Sequence, residues 1–291
     1  LEVASDTTVS GQLDTTQAVI TTPKFVLSTT SRVSMDRSTV KSKEVGISGS
    51  LSVQKGTSFE AETFVTEISS DISMTQSSVD SKTSVAIRGS MDTSETTFIA
   101  PTVSFGVDSD VSLSESTVKS DVVSVAGAVV VNSQTVLEVD TLSSEEASSL
   151  QLAQAVVKAD NAVHVKGSFD VESSSVTVPD LTLSSESNTR LDGTSLHTTT
   201  AMVEGVLSAS LGTHLAIDTF TSGSDSSVQL TDVSVSATVE MNVGGDLSVK
   251  GTHIESGSLS LQSEGEGLIS DTMIKTTVTH LLDGSYMIAE D

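Results

Sequence analysis

The chain contains no cysteine and no tryptophan, and only one tyrosine and three prolines in 291 residues. Without cysteine there is no disulfide framework and no thiolate metal site. With aromatics at 3%, the flat rings expected along a polysaccharide-cleaving groove are missing. Basic residues are few, 14 against 39 acidic ones, for a net charge of −25. Such a surface repels nucleic-acid phosphates and anionic lipid heads, so no nucleic-acid partner is expected. It also keeps copies from fusing sideways. No apolar run approaches the roughly 18 residues of a membrane span, so no membrane insertion is expected. Asn132, Asn161, Asn188 and Asn242 do not begin a glycosylation sequon. No signal peptide is visible.

What the chain does have is a repeat. Gly11, Gly49, Gly89, Gly127, Gly167, Gly205, Gly245 and Gly284 follow one another at steps of 38, 40, 38, 40, 38, 40 and 39 residues. Pro23, Pro101 and Pro179 are evenly spaced at the sum of two such steps, and the fourth equivalent position is Gly257. The string STVKS at Ser38–Ser42 recurs at the same interval as Ser116–Ser120. TSFEAETF at Thr57–Phe64 is echoed by TVLEVDTL at Thr135–Leu142 and THLAIDTF at Thr213–Phe220. The chain therefore reads as a single repeat domain over 1–291, built of 39-residue units inside a 78-residue super-repeat.

Apolar residues keep the same register. Two positions after each glycine stand Leu13, Leu51, Met91, Val129, Phe169, Leu207, Leu247 and Tyr286. Pairs such as Ile72 with Met74 and Val85 with Ile87 are spaced by two, the strand period. Val and Thr dominate, and both fit a pleated surface. The seven phenylalanines all fall on positions that this alternation points inward. Each unit holds six short strand pieces, which predicts two turns of a three-sided coil at roughly 19–20 residues per turn, a parallel β-solenoid. At about 4.8 Å per turn, the whole would span on the order of 70 Å. An intertwined trimeric β-prism is the alternative architecture. Ser144–Asp160, with Leu150, Leu152, Ala153 and Ala155, suits a helix on propensity alone. Its leucines match Ile72 and Met74 in register, so the reading assigns strands. In-register apolar clusters argue against disorder, despite the Ser/Thr-rich acidic composition.

Candidate chemistry is thin. Lys41, Lys119, His197 and Lys275 stand one super-repeat apart and form a basic row, a docking stripe for an acidic partner or a local charge balance within the stack. Asp108, Asp110, Glu264 and Glu266 sit in acidic turns whose oxygens suit Ca²⁺, the one cofactor the sequence raises. They match no complete calcium-loop motif. His214 and His253 share a register about two turns apart, roughly 9–10 Å, too far for one metal to bridge. Glu62, Asp140 and Asp218 recur at one repeat position. A carboxylate repeated in this way is a structural device more often than a catalytic one. Threonine pairs such as Thr15-Thr16 and Thr21-Thr22 lie in different registers and make no flat hydroxyl array.

The sequence thus predicts a non-enzymatic structural protein. The leading expectation is a subunit of an extracellular or virion fibre, joined head to tail to copies of itself through open strand edges. Both ends lie within a repeat and show no cap, which motivates it. The alternative is the stalk or passenger of an adhesin or tail spike, with a glycan or cell surface as partner. A polysaccharide-active enzyme ranks last.

Overall fold

The computed structural model describes residues 2–261, 266–281 and 286–290. Gly284 lies outside the described residues. The described chain is all-β, thirty-three strands with no helix, and every strand pairing is parallel. Its residues cluster into two units, Leu1–Asp140 with Ala147–Leu150 and Thr141–Glu146 with Gln151–Asp291. The division passes within the strands Val136–Ser144 and Ser149–Ala153.

In both units the chain coils as a parallel β-solenoid. One turn of the first unit shows the plan. A five-residue strand, Ser50–Gln54, is followed by a corner and a nine-residue strand, Ser58–Thr66. A second corner, Glu67–Ser70, leads into Asp71–Thr75, which pairs in register with Ser50–Gln54 one turn earlier. The long strand is bent. Along Ser58–Thr66, Phe59, Ala61, Phe64 and Thr66 point inward, and the two consecutive outward residues Glu62 and Thr63 make the bend. The three straight runs expected from sequence are therefore present, with the second and third usually fused across that bend. In three turns of the first unit they separate, as in Val19–Thr21 and Lys24–Leu27.

The five-residue strands begin at Gln12, Arg32, Ser50, Asp71 and Ser90. These starts show that successive turns differ slightly in length, and the four together make one super-repeat. The same cycle runs in the second unit from Ser168 through Asn188, Val206 and Ser227 to Asp246. Extra residues are absorbed at corners. The turn from Ser50 to Asp71, the longest, has one more at Lys55-Gly56. The turn from Asp71 to Ser90 has a third outward residue in the bend between Ser81 and Val85. Four-residue corners such as Ser28–Ser31, Glu67–Ser70 and Gly106–Ser109 alternate with short ones ending on Gly49, Gly89 and Gly127.

The core is a set of side-chain columns, one residue per turn. Val33, Leu51, Ile72, Met91 and Val111 form one, and Val40, Phe59, Val79, Phe98 and Val118 another, all buried. Phe59 and Phe64 meet edge to face across the bend, with ring centroids 5.5 Å apart. All seven phenylalanines are buried, as their register predicts. Leu150 and Leu152 are buried strand residues, so the stretch with helical propensity follows the repeat.

One inward column is polar. Ser38, Thr57, Ser77, Thr96, Ser116 and Thr135 stand just before the long strand in successive turns, all buried. The hydroxyls of Ser38, Thr57, Ser116 and Thr135 accept from a backbone N–H of the preceding turn and donate within their own corner, while Ser77 and Thr96 share a hydrogen bond with each other at 3.3 Å. The Ser116 N–H donates to Thr135 Oγ1 (3.2 Å), which donates to the Asn132 carbonyl (2.6 Å). Ser174, Thr194, Thr213 and Thr252 repeat the arrangement in the second unit. Burial here costs little because each hydroxyl is satisfied.

Candidate functional site

The repeat glycines have a steric cause. A Cβ added to Gly49 would lie within 3.0 Å of Ser31 and the Ser28 carbonyl; one on Gly89 would meet Ser70 and the Glu67 carbonyl. Gly127, Gly205 and Gly245 are equivalent, against Ser109, Ser187 and Ser226. Serine and glycine thus alternate along one inward column, and only glycine lets the short corner close over the four-residue corner beside it. Gly11 has nothing within 4 Å of its added Cβ.

The other corner needs left-handed backbone. Gln17, Arg37, Gln76, Glu95 and Glu115 have φ between 46° and 53°, one per turn, joined by Gly56 at 69°. Few of these are the glycine or asparagine that this conformation favours. The corner still forms, because parallel pairing on both sides fixes it. Gln76 Nε2 donates to Glu95 Oε2 of the next turn at 2.8 Å.

The basic row faces outward, Lys41 from the short strand Thr39–Lys41 and Lys119, His197 and Lys275 from long strands. Lys41 pairs with Glu60 (2.9 Å), Lys119 with Glu138 (2.7 Å) and Lys275 with Glu255 (2.6 Å), each a neighbour one turn away. In the second unit, His197 stands between Thr177 and Ala216. Lys41 and Lys119 are four turns apart, about 19 Å. The structure therefore pairs each of the three lysines with a glutamate of a neighbouring turn, sets His197 between uncharged neighbours, and brings no two members of the row together. Lys41 also borders a hollow of about 280 Å³ where Lys43 and Lys82 alternate with Glu60, Glu62 and Asp80. Exposed pairing shifts a few of these groups. The hydrogen bond to Glu44 raises the Lys24 pKa, the bond to Glu255 raises that of Lys275, and the hydrogen bond from Lys275 lowers that of Glu255.

Asp108 is exposed at the tip of its corner, and Asp110 is exposed at the start of the next strand. Glu264 lies outside the described residues, and Glu266 begins the strand Glu266–Ser270. Among the described residues, no three His, Asp or Glu side chains converge as a metal would require. His214 and His253 flank Ser234 in one column, so a full turn separates each from it. No described helix is long and apolar enough to cross a membrane.

The feature that sequence reasoning missed is the relief of the glycine corner. Four-residue corners project and glycine corners recede. At Gly49 this leaves a notch of about 440 Å³ bordered by Thr29, Thr30, Arg32, Ser69 and Asp71. Ile68 and Val107, at the tips of the next two projecting corners, are 63% and 74% exposed. The recurrence of glycine at every second turn, not every turn, was the legible sign that two kinds of corner alternate.

Comparison with known proteins finds no match: no protein family, curated protein or solved structure resembles the chain significantly.

Proposed function

We propose that this chain is a non-enzymatic structural module of an extracellular or virion fibre, whose turns extend a β-stack by pairing with further turns of the same kind. The observation that supports this reading is the constancy of register. Within each unit, a turn presents to the next the same parallel backbone groups and the same inward columns, through every step of the four-turn cycle. A strand edge of this kind is a template for another strand, and a second copy supplies one by β-augmentation. Side chains repeated in every turn act collectively, as charge, solubility and stiffness.

Electron microscopy of the purified full chain at high concentration tests the proposal. Filaments with a lengthwise β-spacing are expected. A monodisperse particle of one chain's mass across the concentration range would overturn it.

A further inference from the structure

We infer that the glycine corner of the first unit is a contact surface for a second copy of this chain, docked side by side and antiparallel. This contact is separate from end-to-end stacking and does not depend on it.

Six successive corners alternate as projection and notch: Thr29-Thr30, Gly49, Ile68-Ser69, Gly89, Val107-Asp108 and Gly127. Turns are about 4.8 Å apart, so projections and notches each recur at about 9.6 Å. A two-fold axis midway between the Ile68 and Gly89 corners sets every projection of one copy opposite a notch of the other. Ile68 then faces Gly89, Val107 faces Gly49, and Thr29-Thr30 faces Gly127. The notch at Gly49, about 440 Å³, accommodates a valine side chain. The two apolar tips, Ile68 and Val107, are the residues this fit would cover.

Charge selects the same arrangement. Like-charged chains at −25 repel over most of their surface. This face carries Arg32, Glu67, Asp71, Arg88, Asp108 and Asp110, and the two-fold sets Glu67 of each copy opposite the partner's Arg88. Asp108 beside Val107 meets the rim of the partner's Gly49 notch, which carries Arg32 on one side and Asp71 on the other, so Arg32 supplies the only cation among the described residues there. Neither Arg32 nor Asp108 has an ion-pair partner among the described residues of its own chain. Glu67 and Arg88, loosely paired at 3.5 Å within one chain, face their opposites across the axis. The corresponding corners of the second unit carry Glu145, Glu146, Glu186, Glu204 and Asp225 against a single Lys166, so self-pairing there is repulsive. An isologous contact of this kind closes on itself and makes dimers. The strip is shorter and narrower than the roughly 800 Å² per partner of a standard interface, so the dimer is a weak one.

Sedimentation equilibrium and disulfide trapping of the full chain test this. The chain has no cysteine, so Ser50→Cys in one copy and Asp108→Cys in another report only on contact between copies. Mixed under mild oxidation, these two variants should form a covalent heterodimer. In reversible sedimentation, Arg32→Asp should abolish the dimer, and Arg32→Asp with Asp108→Arg should restore it. Within one chain these residues are about four turns, or 19 Å, apart, so such rescue cannot arise inside a monomer. A chain that stays monomeric at millimolar concentration would overturn the proposal. So would trapping between Ser90→Cys and Asp108→Cys in place of the Ser50 pair, which would signal a parallel offset. Filaments insensitive to Arg32→Asp, with no dimer trapped, would overturn this contact and leave end-to-end stacking standing alone.

Discussion

Ser70 packs directly against Gly89, its hydroxyl and carbonyl oxygens filling the space that a Cβ on Gly89 would need. Gly89→Ala must therefore push two turns apart at a corner held by backbone pairing on both sides. Overpacking of this kind costs about 1–3 kcal/mol. Gly46→Ala is the control, because its added Cβ meets only Val26 Cγ2, at 3.9 Å. Urea denaturation should show a clear drop in midpoint for the first variant and almost none for the second.

Thr189 is a hydroxyl in the wrong column. It stands between Phe169 and Leu207, is buried, and its Oγ1 has no hydrogen-bond partner. Thr189→Val keeps the β-branched shape and removes the unsatisfied oxygen. A gain of about 1 kcal/mol is expected, read as a raised denaturation midpoint.

Thr135 should respond oppositely to the same exchange. Its Oγ1 accepts from the Ser116 N–H and donates to the Asn132 carbonyl. Thr135→Val strips a buried amide of that acceptor, at a cost of about 1–3 kcal/mol. Hydrogen exchange at the Ser116 amide should accelerate together with the loss of stability.

Glu115 holds φ at 49° where glycine would be unstrained. Glu115→Gly should stabilise the corner by about 0.5–1 kcal/mol, the left-handed penalty less the entropy that glycine loses on folding. A lowered midpoint would show that the column of corner side chains matters more than the backbone.

The exposed Lys275–Glu255 pair sets a pH window. The Glu255 pKa is lowered, so its contribution is present above the ordinary carboxylate range and is lost as pH falls through the lowered value. The Lys275 pKa is raised, so its contribution is full below the ordinary lysine range and is lost as pH climbs through the raised value. Both hold between those limits and weaken with salt. NMR titration of Glu255→Gln should return Lys275 to its ordinary range.

These residues also mark what could be read from sequence. The inward Val, Leu and Phe positions were legible because a spacing of two, repeated in every super-repeat, leaves one face for each residue. Leu150 and Leu152 followed register over propensity for the same reason. The reason for the glycines was not legible, since a close approach to Ser70 or Ser109 involves a residue of the preceding turn. Thr57, Thr135 and Thr213 carried no sign of burial, because a hydroxyl at a corner reads as solvated until its backbone partners are in place. The left-handed corner was hidden by Gln76, Glu95 and Glu115, which announce no such backbone. As for a site, sequence offered rows of like residues. Within the first unit the fold spaces Lys41 and Lys119 four turns apart and sets each beside a glutamate.

The four-turn cycle of unequal turn lengths has a further consequence. Removing or duplicating one whole cycle leaves every corner facing the kind of neighbour it had before. Removing half a cycle would keep the alternation of glycine and four-residue corners but set side by side turns that are not neighbours in the native order. A gene encoding this coil can therefore lengthen or shorten its product in quanta of about 19 Å without creating any new kind of neighbour, and recombination between blocks becomes a ruler with coarse graduations.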